Sequence, residues 1–177
     1  MEISISKATS LHLTDIAGFD PVDVVLLVTG SNSGRMTVSH FSSAWTVAYP
    51  KMPSTLAEYI SNRDIDDLVR DMNFGKEIFT HDLTSLAKQA SEKISELYRA
   101  NHISMHTADE DMDIIEGIEN ECSVYDLGKD KIDVLNRYLP DDWYESPPEK
   151  LTTEANTLRE LLPYIQRALH SILPNRD

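Results

Sequence analysis

The carboxylates between Ala108 and Gly128 are the residues of this 177-residue chain best placed to do chemistry. The segment has no basic residue and eight acidic ones: Asp109, Glu110, Asp111, Asp113, Glu116, Glu119, Glu121 and Asp126. Closely spaced carboxylates can hold calcium, act as an acid–base pair, or present a negative surface to a basic partner. Each of these roles sets a further requirement on the surrounding sequence.

A calcium loop is the first possibility, because Asp109, Asp111 and Asp113 alternate as they do at the start of an EF-hand loop. That loop needs glycine at its sixth position and a bidentate glutamate at its twelfth. Ile114 and Asn120 occupy those positions, so we expect no calcium site. Acid–base pairs can be drawn from so many carboxylates by chance that their number favours no reaction.

Other candidate catalytic residues are isolated. His102 and His106 are four residues apart and would share a helix face, as zinc ligands can, but no third ligand accompanies them. The segment Gly30–Gly34 lacks the Gly-Lys-Ser/Thr ending of a phosphate loop, and Cys122 is predicted to be a small buried side chain. No nucleophile elbow is present. We therefore expect no enzyme activity, cofactor or metal.

The negative charge is concentrated in one part of the chain. The formal net charge is -14, and residues 101–145 contribute 13 acidic residues against Lys129, Lys131 and Arg137. Nucleic acid and anionic membranes both require a basic surface, so direct binding to either is disfavoured. A basic protein partner is favoured.

The apolar residues Met112, Ile115, Ile118 and Cys122 keep helical spacing, which predicts an amphipathic helix over residues 109–126. Such a helix would spread eight carboxylates over ~26 Å, or one per ~3.3 Å, close to the ~3.4 Å between phosphates along one DNA strand. Trp143 and Tyr144 lie among acidic residues and prolines, as exposed contact residues would. The alternative is a face that is only solvated. The predicted partner-binding residues are Asp109, Glu110, Asp113, Glu116, Glu119, Asp141, Asp142 and Trp143.

Strand patterns occupy the N-terminal third. Ile3 and Ile5 predict a short first strand, and residues 24–28 form an apolar run that predicts a strand buried on both faces. Apolar residues at every second position predict two more strands around Met36 and Trp45, and Gly30–Gly34 is predicted to be a hairpin loop.

Helical patterns follow the strands. Thr55 and Asp64 are predicted N-caps of two short helices, and Asp82 or Thr80 begins a longer one whose buried stripe includes Tyr98. A short helix begins near Lys131 and ends before Pro140, and residues 141–148 are predicted to be an extended loop. The last helix runs from about Thr153 with Ile172 inward, and Pro163 is predicted to kink or split it.

These elements predict an α+β fold in which a small antiparallel sheet packs against several helices. We expect a single domain over residues 1–177, with the sheet and helices in residues 1–100 and an acidic helical half in residues 101–177. No apolar run approaches the ~18 residues of a membrane span, and the N-terminus lacks a secretory signal. The lone Cys122 fits a reducing cytoplasm.

One group of segments resembles a known family. The chain is similar to small phage and prophage accessory proteins in three segments. These are residues 34–38, the pair Ala44-Trp45, and residues 56–60 with their Glu-Tyr-apolar sequence. That resemblance covers about a third of the chain and implies a bacterial-virus setting. The family has no established activity, so no residue role is implied.

The sequence leaves three functions open. The leading hypothesis is a non-enzymatic, phage-encoded interaction protein that mimics nucleic acid and inhibits a basic host protein in the bacterial cytoplasm. The second is an assembly module, a homodimer for example, formed through exposed aromatic residues and the C-terminal helix. The third is a hydrolase or metal enzyme.

Overall fold

The computed structural model describes residues 8–173, and its contacts divide the chain into two compact units. Among these residues, unit 1 comprises 8–78 and 152–173, and unit 2 comprises Phe79–Leu151. The strands are β1 (Ala8–Leu13), β2 (Val22–Gly30), β3 (Ser33–His40), β4 (Ser43–Tyr49), β5 (Phe79–His81) and β6 (Glu149–Leu151). The helices are α1 (Leu56–Ser61), α2 (Ile65–Met72), α3 (Leu83–Arg99), α4 (Met105–Glu116), α5 (Lys129–Tyr138) and α6 (Thr153–Ile172).

Unit 1 is built on an antiparallel sheet with strand order β1-β2-β3-β4. A tight turn at Ser31-Asn32 joins β2 to β3, which confirms the predicted hairpin, and the register shifts between Val28 and Gly30. Helices in the same unit contact the sheet, so the predicted α+β fold with an N-terminal antiparallel sheet is confirmed. The predicted strand at Ile3 and Ile5 lies outside the described residues, and the single-domain organisation stays a prediction.

The sheet of unit 1 has one buried face. Val22, Val24 and Leu26 of β2 are buried, whereas Val25 and Val28 on the same strand are 38% and 52% exposed. The prediction that β2 is buried on both faces is therefore wrong, because α1, α2 and α6 cover only the inner face of the unit 1 sheet. Its apolar run alternates between core and solvent like any strand of an antiparallel sheet.

Helices α1 and α2 of unit 1 begin at the predicted caps. The Thr55 hydroxyl accepts a hydrogen bond from the Glu58 amide, and the Asp64 carboxylate accepts from the amides of Asp66 and Asp67. Helix α6 runs uninterrupted through Pro163, so the helix is not split there. Its buried residues include Leu158, Leu161, Leu162, Ile165 and Leu169. The inward position predicted for Ile172 is wrong, since this last residue of the helix is 46% exposed.

Unit 2 is a helical unit closed by a small two-stranded sheet. Strands β5 and β6 pair antiparallel with Phe79 opposite Leu151, and the sequence patterns predict neither strand. Asp82 caps α3, as predicted, with its side chain accepting from the Ser85 amide. The core of the unit packs residues from all three helices, among them Ile94, Ile115 and Leu135.

Three further predictions in unit 2 are wrong. Tyr98 is 43% exposed because it lies at the edge of the α3 stripe near the helix end. Cys122 is exposed because the helix that would have buried it ends before that position. Within the predicted extended loop 141–148, residues 141–145 are folded into tight turns, with the Trp143 amide donating to the Pro140 carbonyl at 3.0 Å. None of the described helices is long and apolar enough to cross a membrane.

Candidate protein-interaction site

The acidic stripe of unit 2 lies on α4. The Ser104 hydroxyl caps this helix by accepting from the Thr107 amide at 3.1 Å. Asp109, Asp113 and Glu116 are exposed and follow the spacing of one helix face. We call these three residues the α4 stripe; seven helical steps of ~1.5 Å give it a length of ~10 Å.

The predicted helix over residues 109–126 is wrong, because α4 ends at Glu116. Gly117 follows, and the Lys131 ammonium donates to its carbonyl at 2.7 Å and to the Glu121 carboxylate at 2.6 Å. Glycine disfavours the helix, and a cation at its C-terminus satisfies a free carbonyl. Between α4 and α5 the chain forms two short 3₁₀ turns, Ile118–Asn120 and Val124–Asp126. A continuous row of eight carboxylates with phosphate-like spacing is therefore absent from the described residues.

One carboxylate of the acidic segment points into the core. Asp111 is 3% exposed, accepts from Arg137 Nη2 at 2.8 Å, and accepts from the Tyr138 hydroxyl. Burial, together with the hydrogen bond to Asp111 and its charge, raises the pKa of Tyr138 to about 12. Asp111 therefore joins α4 to α5 and is not part of the exposed surface.

The remaining carboxylates differ in their partners. Glu121 is half-buried and paired with Lys131, and Glu110 lies 3.5 Å from His106. The carboxylates of Asp109, Asp113, Glu116 and Glu119 are exposed and form no ion pair within the described residues. The negative charge of the α4 stripe is therefore not neutralised by any ion pair within residues 8–173.

Asp141 and Asp142 are exposed, as a contact role requires, but Trp143 is not. The indole of Trp143 is 6% exposed and its Nε1 donates to Asn136 Oδ1 at 2.9 Å. The prediction that Trp143 contacts a partner is corrected by this burial. The turn at residues 140–145 folds the ring into the core of unit 2 and satisfies its only polar atom.

Exposed aromatic residues lie near the acidic segment; their sequence context predicts Tyr144 among them but not Tyr125 or its neighbour His81. The rings of His81 and Tyr125 lie 5.3 Å apart, and those of Tyr125 and Tyr144 lie 5.8 Å apart, all edge-to-face. Tyr125 is 70% exposed and Tyr144 45%. His81 Nδ1 is also 3.0 Å from the Ser123 hydroxyl, which fixes this group of rings. We call His81, Tyr125 and Tyr144 the aromatic group.

The histidines do not form the predicted zinc face. His102 precedes the Ser104 cap, whereas His106 lies on α4, so the two do not share a helix. Among residues 8–173, no group of three or more His, Cys, Asp or Glu side chains is arranged to hold a metal ion.

Comparison with known proteins gives one family. A family model described as a phage family matches residues 1–171. No curated protein and no solved structure matches the chain.

Proposed function

The chain belongs to a phage protein family, and from that premise we propose that it is a non-enzymatic interaction protein acting in the cytoplasm of the bacterial host. Unit 2 binds a basic host protein and covers a surface with which that protein binds nucleic acid. Binding of this kind inhibits the host protein by occupation, without a chemical step.

The unpaired charge of unit 2 is the observation that carries this proposal. Unit 2 has 17 acidic and seven basic residues, so its net charge of -10 accounts for most of the -14 of the chain. The α4 stripe presents part of that charge on a regular helix. The electrostatic field of a concentrated negative charge attracts and orients a basic protein surface before the two proteins make contact.

Solvation alone is the competing explanation of the α4 stripe. Like charges three and four residues apart on a helix destabilise it by about 0.2–0.5 kcal/mol per pair. No lysine or arginine of the described residues offsets this cost at Asp109, Asp113 or Glu116. A basic partner would offset it on binding. The support is therefore the unneutralised charge, and phosphate-like spacing contributes nothing to it because α4 ends at Glu116.

The aromatic group supplies the second component of an interface. Protein interfaces combine aromatic anchors with a polar rim, and tyrosine is among the residues that contribute most binding energy. Tyr125 adjoins Asp126 in sequence, and Tyr144 follows Asp141 and Asp142. We therefore keep the predicted contact role for Tyr144, add Tyr125, and leave Trp143 out.

The assembly hypothesis loses one of its supports. Helix α6 buries its main apolar stripe within unit 1 and exposes Ile172 only at its end, so this stripe is not offered to a second copy. A self-association surface would have to lie elsewhere on the chain.

Capture from host lysate tests the proposed function. The wild-type chain is immobilised beside D109N/D113N/E116Q and a control with the same charge change, D15N/D20N/E77Q, whose three acidic residues are exposed in unit 1. We expect wild type and the control to retain one host protein, the α4 variant to lose it, and added DNA to release it. Equal capture by both variants, or release that does not respond to DNA, would contradict the proposal.

A further inference from the structure

We propose that β4 pairs with β4 of a second copy of this chain, so that two unit 1 sheets join edge to edge into one antiparallel sheet. The occupant of the β4 edge is thus another molecule of the same protein. This inference uses unit 1 alone and does not depend on the partner of unit 2.

The β4 strand is an edge of the sheet, since it pairs only with β3 among the described residues. The two-residue loop Phe41-Ser42 makes His40 and Ser43 a hydrogen-bonded pair, and hydrogen-bonded and free pairs then alternate along the strand. The main-chain N–H and C=O groups that point away from β3 are those of Ala44, Thr46 and Ala48. These groups are ready to pair with another strand.

The β4 strand also lacks three features that commonly protect edge strands from pairing: a charged residue, a proline and a bulge. Its seven residues, Ser43–Tyr49, include no charged residue and no proline, and its register with β3 shows no bulge. Natural edge strands are commonly blunted by lysine, proline or a bulge. In a chain with a net charge of -14, an uncharged edge is where two copies can approach without repelling each other.

A cleft beside this edge explains how a second copy is seated. It has a volume of about 500 Å³ and is lined by residues of β4 together with Asp71, Met72 and Phe74. Phe74, one of the residues that line this cleft, is 94% exposed. A strand added to β4 would cover this ring.

The one acidic group in the cleft is already neutralised. Asp71 accepts from the Tyr49 hydroxyl at 2.8 Å and from Arg63 Nη2 at 3.0 Å. Its negative charge therefore does not oppose the approach of a second, identical cleft.

The sequence of β4 fits a two-fold axis at its centre. Thr46 is the middle residue, so full overlap of two antiparallel β4 strands places Thr46 opposite Thr46 and Ala44 opposite Ala48. That register forms on the order of six main-chain hydrogen bonds. The side chains that face each other on the solvent side of this sheet, those of Ala44, Thr46 and Ala48, are small and uncharged, as a self-complementary interface requires.

Proline substitution tests the pairing without disturbing the β3 ladder. In A48P the lost N–H is one that points away from β3, so the sheet of unit 1 should stay intact. The matched control is S10P, because Ser10 occupies the equivalent outward position on the other edge strand, β1. Sedimentation of the full chain should show a dimer for wild type and S10P and a monomer for A48P, with similar melting temperatures. A monomeric wild type, or a dimeric folded A48P, would overturn the proposal.

Cross-linking gives a measurement that does not rely on loss of binding. In a C122S background, which removes the exposed native cysteine, T46C places two thiols at the two-fold axis with Cα atoms ~5.5 Å apart, within disulfide range. Mild oxidation should convert T46C to a covalent dimer and leave the S10C control monomeric. Absence of the cross-link, or an equal yield from S10C, would overturn the proposal and leave the β4 edge to a strand of a different protein.

Discussion

Arg137 Nη2 donates to Asp111 Oδ1 at 2.8 Å, and this contact separates one carboxylate of the acidic segment from its neighbours. Asp111 is buried and paired, whereas Asp109, two residues earlier on α4, is exposed and unpaired among the described residues. The same side-chain type therefore has a structural role at one position and a surface role at the other.

Neutralising these two aspartates should have different consequences. D111N removes the charge that Arg137 and Tyr138 surround, and the imperfectly satisfied buried groups should lower the free energy of unfolding by about 1–3 kcal/mol. D109N makes the same charge change at an exposed site and should stay within about 0.5 kcal/mol of wild type. Urea denaturation of the two variants measures both values. Equal stability would show that the Asp111 contacts contribute nothing to folding.

The tyrosines of the aromatic group should be binding residues. Y125A and Y144A should each weaken partner binding by more than about 1 kcal/mol, because exposed aromatic residues in an interface lose their contact area on truncation. Y98A is the matched control, since Tyr98 is also an exposed tyrosine of unit 2 but lies outside the aromatic group. Titration calorimetry with the captured partner gives the three affinities. A loss in Y98A as large as in the other two would deny the aromatic group a specific role.

The contacts of Tyr138 predict loss of stability in alkali. Its folded pKa of about 12 lies above the ordinary value of 10.0, so folding favours the neutral phenol. That stabilisation is complete below the unfolded pKa and is lost as the pH rises through the folded pKa. The pKa of Tyr49 is also raised, mainly by burial. Both tyrosines therefore contribute to the decrease of the free energy of unfolding with rising pH in alkali.

Y138F should reduce this slope while leaving part of it. The variant removes one of the two phenols whose pKa is raised, and also the hydrogen bond to Asp111, so it should be less stable at neutral pH and less sensitive to alkali. Y98F, at an exposed tyrosine, is the control. Denaturation between neutral pH and pH ~11 measures the slopes; an unchanged slope in Y138F would contradict the assignment.

The parts of the fold that depend on local sequence could be predicted. Thr55, Asp64 and Asp82 begin helices because a side-chain oxygen satisfies free amides within three residues, and that pattern is visible in the sequence. Alternating apolar residues likewise identify β3 and β4. The hairpin at residues 30–34 follows from its glycines and polar residues.

The parts of the fold that depend on residues distant in sequence could not be predicted. Strands β5 and β6 are three residues long and lie some 70 residues apart in sequence, so no local pattern marks their pairing. Lys131 ends α4 through a contact with Gly117 that helical periodicity does not encode. The burial of Trp143 depends on a turn and on Asn136, which both lie outside any repeating pattern.

The position of Asp111 is an intermediate case. It lies three residues after Ala108 and four before Ile115, so its place on the buried stripe of α4 could have been found from spacing. The sequence does not show that the guanidinium of Arg137 and the hydroxyl of Tyr138 are the groups that pair with the buried Asp111 carboxylate. A carboxylate on an apolar helix stripe indicates that the folded protein supplies a buried cation or hydrogen-bond donor to pair with it.

The salt dependence of partner capture tests the proposed electrostatic binding most directly. Retention of the host protein is measured from ~50 to ~500 mM salt for wild type, D109N/D113N/E116Q and D15N/D20N/E77Q. We expect wild type and the unit 1 variant to bind at low salt and release steeply as salt rises, while the α4 variant binds weakly with a shallow dependence. An α4 variant that retains the same protein with the wild-type salt dependence would contradict binding through the α4 stripe.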